Sequence, residues 1–259
     1  MNVRDVMATA IVTVAKDRNL KDVLLLMEQK RITKLPVVDD AGNLLGIVTD
    51  GKIADKLGRE HNKGIQTTTL HASSVMEKEF LIAHPDEPLE ALLKDVGKPG
   101  LTMVPVCQGT KLVGIVTKAD LLRLVNSDVK LDAIMKKELK SVASDERLVH
   151  ARRLLIDHDI ARLPVLKAGK LEGIIAEHEI AGAFAQLKQE DAKPQRDHIR
   201  DLQVGPYMRR KVVTGRPDMS AKEAAAVMLK EHVGALPIVD SLGTIRGIVT
   251  RTDLIRTFA

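Results

Sequence analysis

Four times in 259 residues the chain spells the same two-part phrase, and a chain that repeats itself in this way folds as stacked copies of one unit. The first part is an apolar run around a proline. It reads Lys34-Leu35-Pro36-Val37-Val38, Met103-Val104-Pro105-Val106, Arg162-Leu163-Pro164-Val165-Leu166 and Ala235-Leu236-Pro237-Ile238-Val239. The second part follows a short turn: Gly46-Ile47-Val48-Thr49, Gly114-Ile115-Val116-Thr117, Gly173-Ile174-Ile175-Ala176 and Gly247-Ile248-Val249-Thr250. Proline and glycine stand about ten residues apart in every copy, a regularity that chance does not supply.

Each copy reads as a β-hairpin between helices. The turns Asp39-Asp40-Ala41-Gly42-Asn43 and Asp240-Ser241-Leu242-Gly243 hold residues that tolerate left-handed backbone. Upstream of the first proline, Leu20, Val23, Leu24 and Met27 recur at i, i+3, i+4 and i+7, which predicts an amphipathic helix. Ala221, Ala224, Ala225 and Met228 repeat that spacing in the fourth copy with smaller side chains. A second helix is expected after each glycine phrase, as over 119–126 and 252–258. Every copy opens alike, with Asp5-Val6-Met7, Ser74-Val75-Met76, Ala133-Ile134-Met135 and Pro206-Tyr207-Met208. The methionine is expected to plug a core gap where the chain enters its unit. Polar stretches at 54–72 and 188–203 interrupt the first and second halves, whereas the link at 126–130 is short. The chain therefore divides into two pairs, 1–128 and 129–259.

Composition narrows what such units can do. Aromatic residues make up 2% of the chain, so the core is aliphatic and the stacking platforms of single-stranded nucleic-acid binders are missing. The net charge of +5 is a mild excess without a run of six like charges, which reads as a solvated surface rather than a polyanion footprint. The single cysteine, Cys107, lies in an apolar run and reads as a small core hydrophobe. No secretory signal precedes the first copy and no apolar stretch approaches the roughly 20 residues of a membrane span, which predicts a cytoplasmic protein. There is no HExxH pattern, no Gly-rich loop ending in Gly-Lys, and no Gly-x-Ser-x-Gly elbow. Enzyme chemistry has no separate place in these repeats.

The opening Asp-Val-Met, the Leu-Pro-Val-Val strand, and Gly-Ile-Val-Thr with Asp three residues after the Thr together resemble the CBS domain, named for cystathionine β-synthase. The likeness covers nearly the whole chain. It implies an α/β fold of four tandem CBS repeats forming two Bateman modules packed as a flat disc, similar to the γ subunit of AMP-activated kinase. It also implies a regulatory role without catalysis, in which AMP, ADP, ATP or S-adenosylmethionine binds in clefts between paired repeats. No cofactor is required. The output passes through a regulated protein partner or through self-association as a homodimer, with no membrane and no nucleic acid involved.

The family's ribose and phosphate signature is intact as Thr117-Lys118-Ala119-Asp120 and as Thr250-Arg251-Thr252-Asp253. A carboxylate can accept from both ribose hydroxyls, Thr can bond a sugar or phosphate oxygen, and a helix N-terminus favours an anion. Thr-x-x-Asp is also close to a helix capping box, which spacing alone favours; the four-fold repeat context favours the ligand role instead, and one motif can serve both. The first copy has Lys52 in place of the Asp, and the third reads Ala176-Glu177-His178-Glu179. Two residues before the proline, copies one and three carry Lys34 and Arg162, against Met103 and Ala235 in copies two and four. One reading gives each pair one site, with copy two or four holding the ribose and Lys34 or Arg162 neutralising phosphate, helped by Lys118 and Arg251. The other leaves Lys34 and Arg162 as exposed strand ends. Thr214, with Thr13 and Ser141 at equivalent places, matches a position that lines the family's cleft. Two rival functions stay open: a scaffold whose clefts have lost their ligand, and a polyanion binder resting on the basic excess.

Overall fold

The computed structural model describes residues 1–60, 70–96, 103–190 and 201–257. The first repeat runs β1 (Val14–Ala15), α1 (Leu20–Lys30), β2 (Lys34–Val38), β3 (Leu44–Thr49) and α2 (Asp50–Glu60). The second contains α3 (Leu89–Val96), β4 (Met103–Gln108), β5 (Lys111–Thr117) and α4 (Lys118–Leu122). The third contains α5 (Leu131–Ile134), α6 (Leu148–Asp157), β6 (Arg162–Lys167), β7 (Lys170–Ala176) and α7 (Glu177–Glu190). The fourth contains α8 (Ala221–Lys230), β8 (Ala235–Val239), β9 (Ile245–Thr250) and α9 (Arg251–Ile255).

The local chemistry is repeated along with the sequence. The proline and glycine phrases pair as antiparallel strands in all four copies, with Pro36 opposite Ile47 and Pro237 opposite Ile248. Each hairpin breaks register at one point, just after the residue that follows the proline, as between Val37 and Val38. An extra residue there bends the strand and increases its twist. The turn at Gly42 needs its φ of +83°, a conformation that a side chain would strain. Asn19 caps α1 by accepting from the Asp22 amide at 2.8 Å, and Leu20, Val23, Leu24 and Met27 are its buried stripe. Ser220 and Glu223 cap α8 reciprocally, and Ala221, Ala224, Ala225 and Met228 are buried. Cys107 is buried within the second copy.

The opening segments are exchanged within each pair. Ala8 and Ile115 trade amide-to-carbonyl bonds of 2.8 and 3.0 Å, which docks the first opening segment on the second hairpin. Glu77 and Ile47 do the reverse at 2.8 and 3.0 Å. Lys136 bridges to Ile248, and Arg209 to Ile174, in the second pair. The methionine thus fills a gap in its neighbour rather than in its own unit: Met7 lies over Gly114, Met76 over Gly46, Met135 over Gly247 and Met208 over Gly173. In each case a glycine on the paired hairpin leaves room for the thioether.

Two aliphatic clusters form the core, and each crosses between the pairs. One joins repeats 1 and 3, from Leu35, Ile53 and Leu57 to Leu163, Ile180 and Phe184. The other joins repeats 2 and 4, from Val104, Leu121 and Leu122 to Leu236, Leu254 and Ile255. α2 packs along α7, and α4 packs on α8 and α9. The repeats therefore close a ring in the order 1, 2, 4, 3, with the two pairs side by side.

Several boundaries differ from expectation. The helices after the glycine phrases in repeats 2 and 4 are shorter, at Lys118–Leu122 and Arg251–Ile255. In repeats 1 and 3 they are longer, so the polar stretch from 54 begins as helix: its spaced apolar residues Ile53, Ala54 and Leu57 are buried against α7. Most of the second polar stretch, 191–200, and the part of the first over 61–69 lie outside the described residues, as does residue 258.

Candidate functional site

In each repeat the strand of the glycine phrase hands directly to a helix, so the residue after the Thr or Ala becomes the first residue of that helix. These four residues are Asp50, Lys118, Glu177 and Arg251. Three of their amides are tied back to the start of the preceding hairpin: Asp50 to the Thr33 carbonyl at 3.0 Å, Glu177 to Ala161 at 3.2 Å and Arg251 to Gly234 at 3.3 Å. Because α2 packs on α7 and α4 on α9, the helix starts converge in the middle of the ring.

Both intact Thr-x-x-Asp motifs form capping boxes. The Thr117 hydroxyl donates to Asp120 Oδ2 at 2.7 Å, and the Thr117 amide donates to the same oxygen at 2.9 Å. Thr250 repeats this on Asp253 Oδ2 at 2.6 Å from the hydroxyl and 2.8 Å from the amide. One carboxylate oxygen does the capping in each box and Oδ1 takes no part in it. The degenerate motifs still cap, with their remaining groups committed elsewhere. Thr49 Oγ1 accepts from the Lys52 amide at 3.1 Å, and Lys52 Nζ sits 2.9 Å from Glu77. Glu179 accepts from the Ala176 amide at 3.0 Å and pairs through its other oxygen with Arg209.

The basic residues are gathered rather than scattered. Lys118, 4% exposed, donates from Nζ to Thr252 Oγ1 at 2.7 Å, linking repeat 2 to repeat 4. Burial pushes its ammonium down to about 8; Lys34 and Arg256 lower it further, and Asp253 opposes them. Arg251 is pushed down to about 10, first by burial and then by Arg162, against the pull of Asp120. It remains a cation at neutral pH. Its Nη2 donates to the Val233 carbonyl at 3.2 Å, while its Nε is shielded from solvent with no acceptor among the described residues. Lys34 and Arg162 are half-buried, and burial lowers both. They are not ordinary exposed strand ends. The guanidinium of Arg162 fills the space in front of Gly234, 3.0 Å from where a Cβ would stand.

Two carboxylates that the sequence reading passed over sit among these cations. Lys34 pairs with Thr49 in the hairpin, which sets it beside Asp50, and Arg162 pairs with Ala176, which sets it beside Glu177. Asp50 is 4% exposed, and its carboxyl is pushed up to about 7 by burial and by Glu177, against the Gly51 amide, Lys34 and Arg162. Burial raises Glu177 as well, opposed by Lys34 and Arg162. Glu177 crosses to repeat 1 and lies against Gly51 so closely that a Cβ there would stand 2.6 Å from its Oε1. The signal was present in the sequence: the position after the Thr alternates acid, base, acid, base through the four repeats. Thr13 and Thr214 are half-buried; Thr13 stands just before β1, and Thr214 just before Gly215, which bridges to Ile238. Their side chains share no hydrogen bond with this central group among the described residues.

The arrangement can hold an anion. Four cations gather here, two boxed carboxylates flank them, and two further acids, buried Asp50 and half-buried Glu177, offset part of the charge. No group of three or more metal-ligating side chains occurs among the described residues, and none of the described helices is long and apolar enough to cross a membrane.

Comparison with known proteins agrees with the repeat structure. The CBS domain model matches residues 3–59, 72–127, 129–186 and 199–259. Protein MJ1225 of Methanocaldococcus jannaschii is 26% identical over 275 residues, covering 96% of this chain and 95% of that protein. Its crystal structure, described as that of a proposed archaeal homologue of γ-AMPK, superimposes with a TM-score of 0.89 at 23% identity and covers all of both chains. A 33.4 kDa protein from the ribosomal RNA operon of Thermofilum pendens is 25% identical over 264 residues, covering 95% of this chain and 87% of that one. A conserved protein from Pyrococcus horikoshii has the same fold with a TM-score of 0.62 at 21% identity.

Proposed function

The chain belongs to the CBS-domain family, with four copies of the domain, and from that premise we propose that it is a regulatory protein that binds an adenosyl ligand (AMP, ADP, ATP or S-adenosylmethionine) and has no catalysis of its own. The observation that supports this most is the convergence of Lys118, Arg251, Arg162 and Lys34 on the helix starts that also carry Thr117, Asp120, Thr250 and Asp253. In this reading the free oxygens of Asp120 and Asp253 accept from ribose hydroxyls, and the phosphates or the carboxylate end of the ligand lie toward the cations. Arg251 Nε, shielded and without an acceptor among the described residues, is a donor available to an anion.

Ligand binding would act by shifting the pose of the pairs 1–128 and 129–259. It can do so because both aliphatic clusters and the Lys118–Thr252 bond cross between them. A ligand that prefers one pose stabilises it by its differential affinity, and the altered outer surface is what a regulated protein or a second copy of the chain reads. The output partner follows from this reading only as a class: a protein that senses the ring's conformation.

The test is a thermal-shift series with AMP, ADP, ATP, S-adenosylmethionine and a short RNA. A ligand at about a hundred times its Kd raises stability by roughly 2.7 kcal/mol. The expected result is a raised midpoint with at least one adenosyl compound, reduced in Asp120→Ala, in Asp253→Ala, and most in the double variant. The shift on adding ligand is compared, since loss of either cap lowers the starting midpoint. No shift with any adenosyl compound would leave a ligand-free scaffold, and a shift with RNA alone would leave a polyanion binder.

A further inference from the structure

Lys118 belongs to repeat 2, but its side chain ends in repeat 4. Its Nζ donates at 2.7 Å to Thr252 Oγ1, and Thr252 lies inside the capping box of Thr250 and Asp253, directly before the carboxylate. The charges agree with this geometry. Burial lowers the Lys118 ammonium most, Lys34, Arg256 and Lys136 lower it further, and the acid that opposes them is Asp253. Arg251 crosses in the opposite sense: burial and Arg162 lower it, and the acid that opposes them is Asp120 of repeat 2. α4 and α9, which begin with these two cations, pack on each other. Each pair therefore brings a cation to the other pair's carboxylate.

We propose that a nucleoside phosphate held by Asp253 through its ribose gives its phosphate to Lys118, so that one ligand spans both pairs. This deepens the adenosyl-ligand reading and rests on it. The Asp253 carboxylate caps with Oδ2, which leaves Oδ1 for a ribose hydroxyl. Lys118 is already in place for the phosphate, because its bond to Thr252 holds the ammonium one residue along from that carboxylate. A phosphate oxygen is a stronger acceptor than a hydroxyl, so binding exchanges a neutral partner for a charged one. Lys34, Arg256 and Lys136 add positive charge around the same ammonium, which favours a phosphate and disfavours a sulfonium.

The crossing is stronger in one direction. In repeat 2 the residue that matches Thr252 is Ala119, which has no hydroxyl to receive Arg251. Arg251 is bonded within its own repeat instead, from Nη2 to the Val233 carbonyl at 3.2 Å. Asp253 is also the deeper of the two carboxylates, buried where Asp120 is half-buried. The site at Asp253 is thus the one built from both pairs, and a ligand there ties residues 1–128 to residues 129–259. Occupancy of this one site fixes how α4 lies against α9, which gives the regulatory reading a specific lever: the ligand stabilises the pose in which Lys118 and Asp253 can both reach it.

Calorimetry with AMP and adenosine on the full chain tests this in Lys118→Met, Asp120→Ala and Asp253→Ala, and in Lys118→Met combined with each of the other two. Asp120→Ala leaves the site at Asp253, and there Lys118→Met should weaken AMP by at least about tenfold and adenosine by less than about twofold. Asp253→Ala leaves the site at Asp120, and there Lys118→Met should change AMP affinity by less than about twofold. A loss that falls instead on the AMP binding left in Asp253→Ala would assign Lys118 to its own repeat and overturn this inference alone. So would equal losses for AMP and adenosine, no loss in either background, or a folded Asp120→Ala that no longer binds AMP. Native protein that takes S-adenosylmethionine but not AMP overturns it in the same way. Where an Ala variant does not fold, Asp120→Asn or Asp253→Asn carries the test, because the amide oxygen can still accept in the cap. Native protein that binds no adenosyl compound overturns the underlying reading as well.

Discussion

Lys118 Nζ and Thr252 Oγ1 lie 2.7 Å apart, a hydrogen bond between the first turn of α4 in repeat 2 and the first turn of α9 in repeat 4. It joins residues 134 apart in sequence and holds an ammonium that is 4% exposed. A buried ammonium costs desolvation, which is why its proton affinity falls, and the hydroxyl bond offsets part of that cost. Lysine at this position is better explained by what it binds than by what it stabilises. Lys118→Met keeps the volume and removes both the bond and the buried charge. Denaturant melts of Lys118→Met are expected to differ from the native protein by no more than about 1 kcal/mol. Its affinity for ATP is expected to fall at least tenfold. A large loss of stability with affinity intact would reverse the assignment.

The acid pair predicts how stability depends on pH. Asp50 stands at about 7 in the folded protein against an ordinary value of 3.8, so between those values the native state holds a proton that the unfolded chain has released. Stability must then fall as pH rises through that window and level off above about 7. The upper bound on this contribution is about 4 kcal/mol. Asp50→Asn removes it, so the difference between melts at pH 4.5 and pH 8 should shrink by roughly 2–4 kcal/mol. An unchanged pH profile would mean that Asp50 is ionised in the folded protein throughout.

Two helical glycines separate close approach from flexibility. Gly182, exposed in α7, has nothing within 4 Å of an added Cβ. Gly182→Ala should stabilise by about 0.5–1 kcal/mol, the ordinary gain for a helix interior. Gly51, in the first turn of α2, has the Glu177 carboxylate at 2.6–2.8 Å from the same position. Gly51→Ala must displace the Glu177 carboxylate, and it should cost about 1 kcal/mol. Glu177→Ala in the same chain should recover most of that loss. Chemical denaturation of the four variants checks it, and a stabilised Gly51→Ala would show that Glu177 has room to move.

What was legible in the sequence is what repeats. The stripe Leu20, Val23, Leu24, Met27 and the hairpins centred on Pro36 and Gly46 are local patterns, and local patterns are written in neighbouring residues. The exchange of opening segments was not legible, because Met7 on Gly114 and Met76 on Gly46 differ from unexchanged packing only in which identical unit each methionine meets. A repeat hides its own partner choice. The capping boxes were readable as one of two roles, and the geometry shows the cap with one carboxylate oxygen left over. Asp50 and Glu177 were missed because attention fell on the missing Asp of the motif, three residues after the Thr. The informative position was the one directly after the Thr, whose alternating charge acquires meaning only once α2 lies against α7 and α4 against α9.

The same packing makes a prediction about half of the chain. Residues 1–128 keep both of their exchanged segments, since Ala8 docks on Ile115 and Glu77 on Ile47 inside that half. They lose half of each aliphatic cluster, because repeat 1 shares its core with repeat 3 and repeat 2 with repeat 4. Leaving Ile53, Leu57, Leu121 and Leu122 facing water would expose a contiguous apolar surface, which soluble monomers avoid. A second copy of the half can cover it. The charges permit this: Asp50 already faces another acid, Glu177, and Lys118 lies in the field of other cations, so two copies of 1–128 reproduce the existing pattern. The fragment 1–128 is therefore expected to be a dimer by sedimentation at micromolar concentration, and 129–259 likewise. Glu substituted for Leu57, buried between α2 and α7 in the full chain, should convert the 1–128 dimer to a monomer of much lower stability. A 1–128 fragment that is monomeric and melts as steeply as the whole protein would show that the two pairs are independent and that the ring is held by something other than its shared cores.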